Sequence, residues 1–204
     1  MRIFLLSLTL LIASCTTLPP QQLTTLQQLW QTNQANLQQI DNWHISGRIA
    51  VASKDEAWNL KVHWQQAMVE YNLRFYTPAG QGAMLLSGND QYTVLKTGKN
   101  EKYEADNPDE LMAKVLKVDL PVSDLHAWIR GLPATHSEPN LLELIPETGY
   151  LDYLEQGGWK INFKRYQSVN GVQLPNKIFL NNKDYQVRIV IDKWKTNINK
   201  NKEI

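Results

Sequence analysis

The chain has 204 residues, with 21 basic against 20 acidic side chains and a net charge of +1. That length fits one ordinary domain with short appendages, and the charge balance excludes the basic excess that nucleic-acid binding leaves on one face. Hydrophobic residues make up 43%, with seven tryptophans and eight tyrosines, which suit cores, binding cavities and membrane interfaces alike.

Arg2 and an apolar run from Ile3 to Leu11 precede Ile12-Ala13-Ser14-Cys15. A basic start, an apolar stretch and small residues before a cleavage point form a secretory signal. The stretch, about 10 residues, is too short for the roughly 20 that a spanning helix needs. Cys15 is the only cysteine, so no disulfide forms within the chain and the thiol needs another use. A bacterial lipoprotein signal supplies one: residues 1–14 are removed and Cys15 becomes the lipid anchor. The alternative is a plain secretory signal that happens to contain a cysteine. Thr16, not aspartate, follows, which resembles an outer-membrane address. Residues 15–21, with Pro19-Pro20, form a tether.

From about Gln22 to Ile40, Leu26, Leu29, Trp30, Leu37 and Ile40 recur at helical spacing, with Asn33 the one polar break. The polar face carries no basic residues, so the stripe is expected to cover a sheet and not to rest on lipid. At Trp43 the period changes to two. Trp43, Ile45, Gly47, Ile49 and Val51 share one face; so do Trp58, Leu60, Val62 and Trp64, and then Val69, Tyr71, Leu73 and Phe75. These are three successive half-buried antiparallel strands. Shorter strands are expected at Ala83–Ser87, Gln91–Lys96 and Lys102–Ala105, with turn residues between them.

The middle switches to helix. Asn107-Pro108-Asp109-Glu110 combines an N-cap, a first-turn proline and acidic residues at the positive helix end. That helix should reach Lys117, and a second should run from Ser123 to Gly131, with Leu125, Trp128, Ile129 and Leu132 on one stripe. Strands return at Leu141–Ile145, Tyr150–Leu154, Trp159–Phe163, Gln173–Leu180 and Tyr185–Ile191, with Asn170-Gly171 the clearest hairpin turn. Residues 195–204 read as a polar tail.

Roughly eleven strands with hairpin-like spacing make a mainly β fold. An amphipathic sheet that long should curl, giving a β-barrel or half-barrel with a greasy interior plugged or lidded by the two helices. Alternation identifies the inner face; it leaves open whether the interior is solid or hollow.

Several of these segments resemble one family. Trp43-His44-Ile45-Ser46-Gly47-Arg48-Ile49-Ala50-Val51 is similar to its opening strand, the strand ending Trp64-Gln65-Gln66 to its next, and Leu120-Pro121 through Trp128-Ile129-Arg130-Gly131-Leu132-Pro133 to its most specific motif. The family is LolB, the outer-membrane lipoproteins that receive other lipoproteins from the periplasmic carrier LolA. The resemblance covers Cys15 to about Trp194, which defines a domain over 22–194. It implies an open, unclosed antiparallel barrel lidded by helices, an apolar cavity for acyl chains, and a monomer on the periplasmic side of the outer membrane, at its inner leaflet. On this resemblance Trp43, Ile45, Ile49, Trp58, Leu60, Val62, Trp64, Tyr71, Leu73, Phe75, Met84, Leu86, Leu125 and Trp128 line or lid the cavity. Each is otherwise an ordinary core residue. A membrane-facing loop falls on Pro78, Ala79 and Gly80. The family commonly carries leucine where this chain has Ala79, and alanine buries only a fraction of the roughly 1.5–3 kcal/mol that a leucine side chain contributes.

Enzyme signatures are lacking. There is no Gly-x-Ser-x-Gly elbow and no phosphate-binding Gly-x4-Gly-Lys loop, and the four histidines have no metal-ligand spacing. No catalytic residue, cofactor or metal is expected. Two other readings fit the same architecture: a lipoprotein that binds a free lipid or small apolar ligand, and a structural outer-membrane lipoprotein with a filled barrel.

Overall fold

A computed structural model describes residues 21–77 and 83–196. Helix α1 (Gln21–Gln38) leads into β1 (Asn42–Ala52), β2 (Ala57–Ala67), β3 (Glu70–Tyr76), β4 (Met84–Gly88), β5 (Thr93–Lys96) and β6 (Lys102–Ala105). Helices α2 (Pro108–Val115) and α3 (Val122–Trp128) follow, then β7 (Leu141–Leu144), β8 (Leu151–Gln156), β9 (Trp159–Val169), β10 (Val172–Asn181) and β11 (Gln186–Thr196).

All eleven strands join one antiparallel sheet in the order β6-β5-β4-β3-β2-β1-β11-β10-β9-β8-β7. Consecutive strands pair antiparallel except β6 and β7, and the one long-range closure sets β11 beside β1. Strands β6 and β7 stay as edges, so the sheet does not close. Chain connectivity explains this: the two helices occupy the interval between β6 and β7, over the apolar face.

That face forms the core. Trp43, Ile45, Ile49 and Val51 of β1 are buried, as are Val62 and Trp64 of β2, Leu73 and Phe75 of β3, and Val187, Ile189 and Ile191 of β11. The period-two pattern therefore reports the inward side of these strands, except at Val69, which was expected on that face but falls in the β2–β3 turn and is exposed. Gly47 marks a tight spot. The β1–β11 register slips between Ser46 and Gly47, leaving Asp192 unopposed, and a Cβ on Gly47 would sit 2.2 Å from the Val190 carbonyl oxygen. Such a bulge bends the strand, here at the middle of the sheet.

The helices end earlier than their apolar spacing predicts. Helix α1 stops at Gln38, where Ile40 N donates to the Leu37 carbonyl at 3.2 Å, a tightened turn. The polar break on its stripe has a use: Asn33 Nδ2 donates to the Thr148 carbonyl at 2.8 Å. Helix α2 starts as expected, with the Asn107 side chain accepting from Glu110 N at 2.9 Å. It ends at Val115 because Lys117 turns left-handed (φ 58). Helix α3 stops at Trp128, after which Arg130 and Gly131 donate to carbonyls three residues back. Strand β11 continues to Thr196, past the expected end at Ile191 and into the expected polar tail, because Trp43 and His44 give it partners.

Candidate functional site

Along the inner face, space opens where α2 crosses the ends of β1 to β4. The cavity measures about 390 Å³, within the ~300–1,000 Å³ usual for ligand pockets. Its sheet side is Ile49, Val51, Trp58, Leu60, Phe75 and Met84; its helical side is Met112, Val115, Leu116, Val118 and Leu120. Glu56 and Thr77 are its polar members. Both stand at the end where the β1–β2 turn and the 77–83 connection emerge. The lining is otherwise hydrocarbon and aromatic, a surface that suits an apolar ligand.

A narrow seam of about 20 Å³ runs on beneath α3, between Ile45, Val62, Trp64 and Leu73 of the sheet and Val122, Leu125 and Ile129 of the helix side. Ile49, Phe75 and Leu120 border both the seam and the cavity. At the far end of the sheet the seam meets a cleft of about 350 Å³, with which it shares Trp64 and Val122. This cleft is more polar. Tyr71, His126, Asn89, Asp90 and Asp106 line it with Met68 and Val69. Tyr71 Oη lies 2.6 Å from Thr93 Oγ1, and burial raises its pKa. Two shallow troughs of about 330 and 310 Å³ lie on the outer face around Ala50, Asn59 and Arg188. They mark the solvated side of the central strands.

The predicted cavity residues divide among these spaces. Ile49, Trp58, Leu60, Phe75 and Met84 line the cavity. Ile45, Val62, Trp64, Leu73 and Leu125 border the seam, and Tyr71 borders the cleft. Trp43, Leu86 and Trp128 border none of them and are core, at 3%, 0% and 0% exposure. Trp43 packs its ring 5.1 Å from Trp64 and 5.5 Å from Trp194. Cys15, Pro78, Ala79 and Gly80 lie outside the described residues.

Sequence reasoning missed the helical half of the lining. The signal was present: Met112, Val115 and Leu116 fall at helical spacing on α2, and Val118 and Leu120 continue the apolar run in the link.

Helix α3 is fixed by polar anchors. Trp128 Nε1 donates to Gln156 Oε1 at 2.8 Å, which also accepts from Ala134 N at 2.8 Å, while Gln156 Nε2 donates to the Ala134 carbonyl at 2.8 Å. Arg130 Nη1 donates to the Ile40 carbonyl at 2.8 Å, and burial lowers the guanidinium pKa to about 10. Gly131, at φ +80, turns the chain against Pro175 and Tyr166, a backbone conformation that favours glycine. The Trp-x-x-Gly-Leu-Pro motif is thus a joint that seats α3. Helix α2 is tied at both ends, through Asp109 to the Ser123 backbone and hydroxyl and through Tyr185 Oη to the Lys117 carbonyl at 3.1 Å.

His126 stacks on Trp43 at 5.8 Å. Burial, then the nearby Arg130 charge, lowers its pKa from 6.5 to about 4. Among the described residues, His126 Nε2 and Trp43 Nε1 are buried without hydrogen-bond partners. No three metal-ligating side chains cluster among the described residues, and no described helix is long and apolar enough to cross a membrane.

Comparison with known proteins places this geometry. A family model described as "Outer membrane lipoprotein LolB" matches residues 41–194. An outer-membrane lipoprotein LolB from Nitrosococcus oceani is 38% identical over 193 residues, 94% of this chain and 95% of that relative. Another from Ectopseudomonas mendocina is 34% identical over 165 residues, 81% of this chain and 80% of the relative. Two solved structures share the fold at low identity. A DUF1329 family protein from Desulfovibrio piger has a TM-score of 0.57 at 7% identity, covering 86% of this chain and 93% of that one. A LolA superfamily protein from Nitrosomonas europaea has a TM-score of 0.55 at 8% identity, covering 81% and 92%.

Proposed function

This chain belongs to the LolB family of outer-membrane lipoproteins, and on that premise we propose that it accepts lipoproteins from the periplasmic carrier LolA, holds their acyl chains in the apolar cavity and inserts them into the outer membrane. The family acts in lipoprotein localisation and is not a family of enzymes. The observation that carries the reading is the 390 Å³ of apolar space between β1–β4 and α2, against a more polar cleft at the far end of the sheet.

The physics requires no covalent step. Each buried methylene is worth about 0.8 kcal/mol, so acyl chains do not cross water freely. A receiver must bind them more tightly than the donor, and each 1.4 kcal/mol of difference gives about tenfold bias. The bilayer completes the sequence by burying the chains entirely. The 77–83 connection leaves β3 beside Phe75 and Thr77 and re-enters at Met84, all three at the cavity. In this reading Pro78, Ala79 and Gly80 are the residues that meet the membrane, as the family resemblance implies. Cys15 carries the anchor, with residues 1–14 removed, 15–20 as tether and 21–196, from the start of α1 to the end of β11, as the working domain. Multiple chains on Cys15 are needed, since one alone gives only marginal attachment.

Binding of a fluorescent fatty acid tests the cavity. Leu60 and Met84 are only partly buried, so Leu60→Glu and Met84→Glu should leave the domain folded while weakening the probe's affinity more than about tenfold. Undiminished binding in both folded variants would remove the cavity from the account. Trp64 and Leu73, each 2% exposed, do not serve, because glutamate there would be buried in the core and unfold the domain.

A further inference from the structure

We propose that the β2–β3 hairpin tip, Met68 and Val69, together with Tyr92, is a docking surface for the protein that delivers the acyl chains, a partner presenting a basic surface with an apolar socket. This rests on the acceptor reading and adds to it the place where the donor touches. Met68, Val69 and Tyr92 are 66%, 52% and 56% exposed, the most exposed large hydrophobic side chains among the described residues. They stand together, since Tyr71 pairs with Gly88 and so sets the hairpin tip beside the turn at 89–92.

The backbone at Met68 is left-handed, with φ 54. Glycine and asparagine adopt that conformation most readily. The same chain uses them at other hairpin turns, where Asn170 and Gly171 have φ 51 and 87, and Gly157 and Gly158 have φ 59 and 79. Methionine at Met68 is therefore not what the turn requires, and strained backbone held in place by its surroundings is a mark of functional sites. The holding bonds are present: Met68 N donates to the Asp41 carbonyl at 3.0 Å, and the Met68 carbonyl accepts from Gln66 Nε2 at 2.7 Å. The tip is thus pre-set to present two apolar side chains to water.

Its surroundings choose the partner. Asp90 and Asp106 rim the adjoining cleft, and neither has an ion-pair partner among the described residues. Glu70 follows Val69 directly. Uncompensated acidic groups around an apolar tip steer a basic protein surface towards it and are repelled by an anionic bilayer. Position agrees: the tip and the 77–83 connection are at opposite ends of β3, so a partner here approaches from the side away from the proposed membrane loop. From the cleft, shared linings lead through the seam to the cavity.

The test uses the full lipidated chain in phosphatidylcholine vesicles, with LolA of the same organism as the partner. Wild type is compared with the double variant Met68→Asn/Val69→Thr and with Asp90→Lys/Asp106→Lys. Both variants are expected to bind the carrier at least about tenfold more weakly, with fluorescent fatty-acid uptake unchanged and with the melting temperature of Met68→Asn/Val69→Thr no lower than that of wild type. Carrier affinity equal to wild type in both variants, with fatty-acid uptake intact, overturns the docking surface and leaves the acceptor reading standing. A wild-type chain that takes up no fatty acid overturns the acceptor reading, and the docking surface falls with it.

Discussion

His126 joins chemistry to stability at a single position. Its folded pKa of about 4, against 6.5 in the free side chain, means that the unfolded chain takes up a proton that the folded chain refuses. Stability is retained above pH 6.5 and falls as the pH drops towards 4, by up to about 3 kcal/mol. Denaturant titrations at several pH values should show this loss, and His126→Phe, which keeps a ring against Trp43, should flatten it. A profile of His126→Phe that matches wild type would assign the acid sensitivity to other groups. Cys15 carries a prediction of a different kind. Membrane fractionation should find the Cys15→Ala chain in the soluble fraction; continued cofractionation with membranes would rule out the anchor.

The joint at α3 is the element on which the lid depends. Gln156 is fully buried and serves Trp128, Ala134 and Ser137 through one side-chain amide. Gln156→Leu strands the Trp128 indole N–H and the Ala134 amide, and each buried group left unpaired costs about 1–3 kcal/mol. Urea unfolding should therefore show a loss of roughly 2–5 kcal/mol, and a loss under 1 kcal/mol would mean that packing alone seats the helix. Elements differ in how far the sequence discloses them. The strands of the apolar face were legible because inward side chains recur every second residue, as at Trp43, Ile45, Ile49 and Val51. Helix α2 was legible at its start through the Asn107 cap. Its end was not, because a lysine at a left-handed position carries no sequence mark. Gln156 was likewise illegible: a glutamine at a strand end looks solvated until the chain brings Trp128 and Ala134 to it.

At the scale of the molecule, an unclosed eleven-stranded sheet lays its inner face against two short helices. Local alternation could tell which side is inner; it could not divide that side into filled and vacant parts. Trp43, Leu86 and Trp128 read like Trp58, Leu60 and Met84 in one dimension, yet the first three fill the core and the others border space. The difference comes from the path of α2, whose Met112, Val115 and Leu116 stand off the sheet where the strands end. An acyl-chain acceptor needs that stand-off. Photo-crosslinking with a diazirine-bearing fatty acid, mapped by mass spectrometry, tests it most directly. The account predicts adducts on Leu60, Met84, Met112 and Val115; no adducts, or adducts confined to the outer face around Ala50 and Phe179, would contradict it.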